Sequence, residues 1–433
     1  MYKSFFKRIF QLSENGTTIR REVLAGFVSY FTIVYIIAVN SLILSEAGMP
    51  MDGAIFATIL LSAVSCILIG LWANVPIILV PGMGINAFFS YTMVESMGMS
   101  WQAALAAVFV TGLIFLIVAF SPFSSILSDA IPVSLKEAIT VGLGLFLMLL
   151  GLEKGRLITK GETSIITFGD LGDPYVVVSV LTLVIALVLF VRNIQGSFLI
   201  TIVLGCIIAA LFGTIDFSGF EWGGLDFASY QKVFLSMSFL EMGKFEFWIA
   251  VFSLAMVIIF ENIGLVHGHV ASINHPERYQ KAFRATGVSV LLSGIFGSSP
   301  TVATVETAAG VASGGRTGFT SVITGLLFIL SILFIPVIKM IPDSAIAPIL
   351  IIIGILMLQN IKHLDFDDLS ESIPAIMVIA MIPFTYSIAD GMAIGFILYP
   401  VLKLMLGKGK QVSVVLYIIS ALFLAYFVFR AIG

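Results

Sequence analysis

Charge is scarce in this sequence. Charged residues make up 11% of its 433 positions, where a soluble domain carries about 25%. The 22 Lys+Arg and 25 Asp+Glu cannot cover the surface of a 46.7 kDa globule. An ordinary water-soluble domain is excluded, and the missing surface faces lipid. A net charge of -3 with a pI near 5.8 gives no basic footprint, so nucleic acid is not an expected partner. Cysteine is nearly absent. Cys66 and Cys206 both lie inside apolar runs, which excludes a disulfide framework and a cysteine-based zinc or redox site. The Gly82-Met83-Gly84 stretch lacks the third glycine of a dinucleotide fingerprint. No cofactor is expected, and with no metal set or nucleophile pair in view an enzyme is not the reading.

What fills the chain is apolar sequence, 59% of it. About 20 mostly apolar residues cross about 30 Å of hydrocarbon. Runs that reach or approach this length cover 22–45, 53–72, 76–98, 101–120, 134–152, 175–191, 196–213, 247–270, 281–296, 300–314, 318–338, 344–360, 371–387 and 388–406. A further run at 411–429 is left open by hydropathy alone. The expected fold is an all-α polytopic membrane protein of about 14 transmembrane segments. Polar interruptions are short except at 153–174 and 214–246. Residues 1–22 are polar and basic, with Lys3, Lys7, Arg8, Arg20 and Arg21. The run from Val23 to Leu44 that follows is too long for a signal-peptide core and reads as a retained first span. Counting from a cytoplasmic N-terminus, inside connections hold 15 of the 22 Lys+Arg, the bias expected of a protein of the cytoplasmic membrane.

Two segments break the helical pattern in corresponding ways. Val75 to Val80 is a short β-branched stretch containing Pro76, followed by Pro81, Gly82, Met83, Gly84, Ile85 and Asn86. Gly297 to Pro300 leads into Thr301, Val302, Ala303 and Thr304, and then into Val305 and Glu306. Proline removes a backbone donor and disfavours the helix before it, so each segment should enter the membrane extended before a half-helix begins. Extended backbone at that depth must be buried in protein or line a polar cavity. If the two stretches face each other they can pair as short strands. Each break is the third segment of its half, and because seven is odd, two copies of seven spans run in opposite orientations. This pattern predicts two inverted seven-span repeats with discontinuous spans 3 and 10. The first repeat covers 1–215, an external connection 216–246, the second repeat 247–407, and a C-terminal apolar segment 408–433.

Three polar residues stand at this depth. Glu261 follows twelve uncharged residues, Ile249 to Phe260, about 18 Å into the bilayer at 1.5 Å per residue. Intramembrane carboxylates of this kind face a cavity or a partner. Glu306 opens the half-helix after Pro300, where free N–H groups and the positive dipole end favour an anion. Asn86 holds the equivalent place in the first half and offers both a donor and an acceptor; a structural amide is the other reading. No Lys or Arg is expected beside the two acids. Carboxylates accept paired N–H groups, so a flat, donor-rich ligand such as a nucleobase suits them. Phe88 or Phe89 supplies a stacking face or serves as core filler. His267 and His269 read as lining or interface residues, with a proton relay as the alternative. Asp365, Asp367, Asp368 and Glu371 read as a solvated loop, and Asp390 as the cap of the helix after it.

Several stretches together resemble one family: Arg21 to Gly26 with Tyr35 to Asn40, Gly82 to Phe89, Glu306 to Gly318, and Ser387 to Gly391. The chain resembles the guanine/hypoxanthine/adenine permeases, the AzgA-like branch of the nucleobase/ascorbate transporter (nucleobase:cation symporter 2) superfamily, over nearly its whole length. The resemblance implies a core domain (spans 1–4 and 8–11) moving against a gate domain (5–7 and 12–14). It also implies proton-coupled uptake of purine bases, often by a homodimer; whether Na⁺ can substitute for the proton is left open by the sequence. Carried over by position, the base meets Glu261, Glu306 and Asn86, with backbone groups near Ala87 and Val305. Protons are exchanged at Glu261 or Glu306. Span 8 departs from the purine pattern. It reads Ile258-Ile259-Phe260-Glu261-Asn262-Ile263-Gly264 where that branch has Asp-Leu-Phe-Asp-Thr-x-Gly, and it is similar there to the Glu-x-Ile-Gly of uracil and xanthine permeases. A xanthine or uracil permease is therefore the alternative, followed by an anion transporter of the same fold, which two buried acids disfavour.

Overall fold

Segments surrounded by lipid must pair their backbone groups internally, which makes helices of long apolar runs. The computed structural model describes residues 9–121, 130–161, 164–215 and 227–432. Lys3, Lys7, Arg8 and the first part of the 216–246 connection lie outside the described residues. Among the described residues ten helices are long and apolar enough to cross a membrane, from Ile19–Glu46 to Val414–Ile432. Ser197–Leu211 and Leu369–Thr385 are shorter apolar helices, and Tyr279–Phe296 is an 18-residue helix that begins with Lys281 and Arg284 in its first turns. The run left open at 411–429 is the helix Val414–Ile432. It is held to the helix Ile388–Met405 by Arg430, 2.8 Å from Asp390, and by the Tyr426 hydroxyl, which donates to Asp390 at 3.1 Å.

Two expectations about charged residues need correction here. Asp390 is not the cap of its helix: Ser387 is, its hydroxyl accepting from the Asp390 N–H, and Asp390 anchors the last helix instead. Glu371 is not a solvated loop residue. It accepts from Ser134 and Tyr399, both at 2.6 Å, and pairs at 2.7 Å with Lys403, whose side chain is 4% exposed.

The two halves of the chain interlock through small residues, which let helix backbones approach closely where no water drives them together. The helix Val133–Lys154 packs on Asp343–Leu358 with Gly144 facing Gly354, and a Cβ on Gly354 would stand 2.4 Å from the Gly144 carbonyl oxygen. The helix Met51–Ala73 packs on Gly318–Leu330 with Gly70 against Gly318.

Both proline-marked breaks are extended, and they meet. Leu79–Pro81 pairs antiparallel with Thr301–Ala303 in the register Leu79↔Ala303, Val80↔Val302, Pro81↔Thr301. The ladder continues at both ends, with Gly82 N–H on Pro300 O (3.1 Å) and Thr304 N–H on Ile78 O (3.3 Å). Side chains complete it. The Ile78 N–H donates to Thr307 Oγ1 at 3.1 Å, the Ser321 hydroxyl serves the carbonyls of Val75 and Ile77, and Asn262 Oδ1 accepts the Ala303 N–H at 2.9 Å. Every one of these groups is at a depth where leaving it unpaired costs several kcal/mol. From this seam two half-helices run outward. Met83–Ala87 continues as the π-helix Phe88–Ser96, and Thr307–Ala312 follows Glu306.

Candidate functional site

A cavity of about 590 Å³ opens beside the strand pair, within the size range of small-molecule sites. Its walls come from both breaks (Pro81 to Gly84 and Val302 to Glu306), from the first helix at Ile33, Tyr35 and Ile36, and from Val257, Phe260, Glu261 and Gly264 of the helix Phe245–Ser272. The helix Val133–Lys154 lines it only from Val133 to Leu143, and the helical stretch 343–363 only from Ile353 to Asn360. The cavity therefore occupies the end of the molecule where Val133 lies. At the Lys154 end the same helices are closed on one another by Lys154 with Glu46, Tyr91 with Glu46 and Tyr386 with Glu153.

Glu261 and Glu306 both line this cavity although they belong to different helices. Glu306 precedes the half-helix without capping it through its side chain; it accepts from the Tyr35 hydroxyl at 2.6 Å. Glu261 has no hydrogen-bond partner among the described residues. Val305 lines the cavity too and is 58% exposed. Asn86, Ala87 and Phe88 stand elsewhere. Each is fully buried behind the wall formed by Gly82 to Gly84. Asn86 Nδ2 lies 3.8 Å from the Met83 sulfur, and its Oδ1 is buried without a partner. Phe88 and Phe89 are core; the rings on the cavity are those of Phe260 and Tyr35. Met83–Ala87 is a short α-helix leading from the seam, and the π-helix begins only at Phe88.

Lys136, counted in an inside connection, belongs to the first turn of Val133–Lys154, lines the cavity with the two acids and lies 5.5 Å from the centre of the Phe260 ring. Periodicity could have placed it on that helix, but its facing needs the packed structure. Asn262 and His269 are two further residues that build the site. Asn262 holds Ala303, and His269 Nε2 lies 2.9 Å from Thr304 O, so one helix clamps the strand directly ahead of Val305 and Glu306. His267 packs edge-on against Tyr279. Among the described residues no group of three or more His, Cys, Asp or Glu is placed to hold a metal ion.

The comparisons with known proteins agree with this architecture. The model of a permease family matches residues 20–394. The chain is 47% identical to the nucleobase transporter PlAzg2 of Paenibacillus larvae, over 88% of this chain and 76% of that protein. It is 34% identical to the guanine/hypoxanthine permease PbuO of Bacillus subtilis, over 96% of this chain and 98% of that protein. It is equally identical to the adenine permease AdeP of Escherichia coli, over 99% and 97%. Among solved structures, the transmembrane domain of a cyanobacterial bicarbonate transporter, BicA, superposes with a TM-score of 0.63 at 16% identity, over 87% of this chain and 97% of that one. That likeness shows a shared transporter fold. The chain therefore belongs to this permease family, in its AzgA-like branch.

Proposed function

We infer that this chain imports purine nucleobases by proton symport. The transport of purine bases is carried by its relatives, and the coupling by one observation: two carboxylates, Glu261 and Glu306, open into one cavity beside the paired breaks. In this reading Glu306 accepts donor N–H groups of the base, and Glu261 takes part in binding both base and proton. Val305 and the neighbouring backbone form the rim of the base site. Asn86, with Ala87 and Phe88 behind Gly82 to Gly84, sets the position of that wall. Loading base and proton together lets the site move without carrying an unpaired charge through lipid. The protein is a transporter and not an enzyme.

The fold reading is of fourteen spans in two inverted seven-span repeats, supported by the antiparallel meeting of one break from each half. The N-terminus is placed in the cytoplasm of a cell whose cytoplasmic membrane holds the protein, supported by the charge bias of the connections. The cavity, at the Val133 end, then faces inward.

The test is uptake of labelled guanine, hypoxanthine, adenine, xanthine and uracil into cells lacking their own permeases, with and without a protonophore, for wild type and Glu306→Gln. Protonophore-sensitive purine uptake that is lost in the variant is the expected result. Purine uptake indifferent to the protonophore removes the proton coupling. Uptake of xanthine or uracil alone gives precedence to the Glu261 to Gly264 pattern, which is similar to that of their permeases.

A further inference from the structure

The first membrane helix holds the segment that carries Glu306 at three levels. At one end the Glu22 carboxylate accepts the N–H groups of Arg316, Thr317 and Thr320. In the middle Gly310 sits so close that a Cβ there would lie 2.0 Å from Ser29 Oγ. At the other end is Tyr35, between the helices Ile19–Ile33 and Ile36–Glu46. Its hydroxyl donates to Glu306 Oε1 at 2.6 Å. Its ring is 2% exposed and meets Phe198 edge-on, with centroids 5.0 Å apart at 73°. Phe198 itself lies stacked against Phe190 at 6.0 Å. The hydroxyl is thus fixed from behind by packed rings, at the edge of the cavity.

A glutamate at the start of a six-residue helix, with no side-chain bond to that helix, has three torsions with which to leave any one orientation. A binding group loses little affinity only when its direction is set before the ligand arrives. The Tyr35 hydroxyl binds Oε1, the Thr304 side chain and the Glu306 N–H lie against the same carboxyl, and a carboxylate has acceptor capacity left for a further donor. We propose that Tyr35 is a positioning residue of the transport site: its hydroxyl, held in place by Phe198, orients the Glu306 carboxyl so that Oε2 accepts an N–H of the bound base. The proposal rests on the purine-transport reading and adds to it the group that aims one of its two acids.

The experiment measures binding of labelled guanine and hypoxanthine to the purified full chain in detergent, for wild type, Tyr35→Phe, Phe198→Leu, Glu306→Asp and Tyr35→Phe/Glu306→Asp, with uptake kinetics for the first three. Tyr35→Phe keeps the ring and removes only the hydroxyl. Base affinity is expected to fall about tenfold, the effect of one hydrogen bond to a charged group, with the loss in KM and the maximal uptake rate within about twofold. Phe198→Leu is expected to weaken binding less than Tyr35→Phe. Aspartate is too short to reach the Tyr35 hydroxyl, so in that background Tyr35→Phe should change affinity by less than about twofold. A role in packing alone would give equal losses in both backgrounds, and that result overturns the proposal. So does wild-type affinity in Tyr35→Phe. If Glu306→Asp binds too weakly to measure, thermal unfolding of the four proteins of the Tyr35/Glu306 cycle replaces binding, with non-additive shifts expected and additive ones overturning. Wild-type protein that binds none of the bases removes the transport reading and this proposal together, whereas wild-type binding with an unaffected Tyr35→Phe removes this proposal alone.

Discussion

Lys154, the last residue of the helix Val133–Lys154, pairs with Glu46, the last residue of the helix Ile36–Glu46, at the end of the molecule away from the cavity. Glu46 also accepts from Tyr91, and neighbouring Glu153 accepts from Tyr386. The lysine is mostly buried and the carboxylate partly so, and removing one partner of such a pair leaves the other charge uncompensated, which costs more than breaking an exposed pair.

Lys154→Gln is therefore expected to loosen the closed end. A cysteine introduced at Leu150, buried at 2% exposure one turn earlier, should react with a membrane-impermeant maleimide several-fold faster when Lys154 is replaced. Equal labelling rates with and without Lys154 would show that the pair does not hold the end shut.

Glu22 is fully buried and accepts four bonds: from the N–H groups of Arg316, Thr317 and Thr320 at 2.9, 3.3 and 3.2 Å and from the Thr320 hydroxyl at 2.7 Å. Each buried donor left without an acceptor costs about 1–3 kcal/mol. Glu22→Ala is expected to lower stability by at least about 3 kcal/mol, and Glu22→Gln, which keeps one acceptor oxygen, by roughly half of that. Thermal unfolding in detergent measures both, and near-wild-type melting of Glu22→Ala would contradict the arrangement.

A Cβ at Gly318 would lie 1.9 Å from the Gly70 carbonyl oxygen, a backbone atom that no rotamer change can move aside. Gly318→Ala should destabilise the protein by about 1–3 kcal/mol through helix displacement. An unchanged melting temperature would mean that the two helices stand farther apart than described.

Asp368 stands outside the membrane helices as the cap of Leu369–Thr385. The hydroxyl and N–H of Ser370, at 2.6 and 2.8 Å, hold its carboxyl down to about 2, with help from Lys403 and Lys408. A carboxyl with a depressed folded value contributes stability that is present above its unfolded value and is lost as pH falls through the folded one. The melting temperature of wild type should therefore fall more steeply than that of Asp368→Asn between about pH 4 and pH 2. Parallel curves would show that Asp368 contributes nothing to the acid sensitivity.

The helix that carries Glu261 is legible in the uncharged run ahead of it, and the two breaks in their prolines and glycines, because lipid tolerates so few alternatives to a continuous helix. Facing is a different matter. Asn86 and Phe88 share the break segment with Gly82, yet both are fully buried and neither lines the cavity. Lys136 carries no mark that separates a loop lysine from one at a cavity wall. The tie between Tyr35 and Glu306 joins residues 271 positions apart, a distance at which neither spacing nor hydropathy carries information. Helix existence is a local property, whereas the cavity wall is a product of how distant helices meet.

The seam that joins Ile78 to Thr307 spans 229 positions of sequence, and this fixes an order of events during synthesis. Val75 to Gly82 leaves the ribosome long before the strand that will satisfy its carbonyls and N–H groups has been translated. Until Thr301–Ala303 arrives, that stretch lacks the strand that pairs its backbone groups, and unpaired groups are costly in hydrocarbon. The wall of the cavity beside this seam is consequently complete only after residue 303 has been made, and a chain truncated before residue 301 would lack the strand that pairs with Leu79–Pro81.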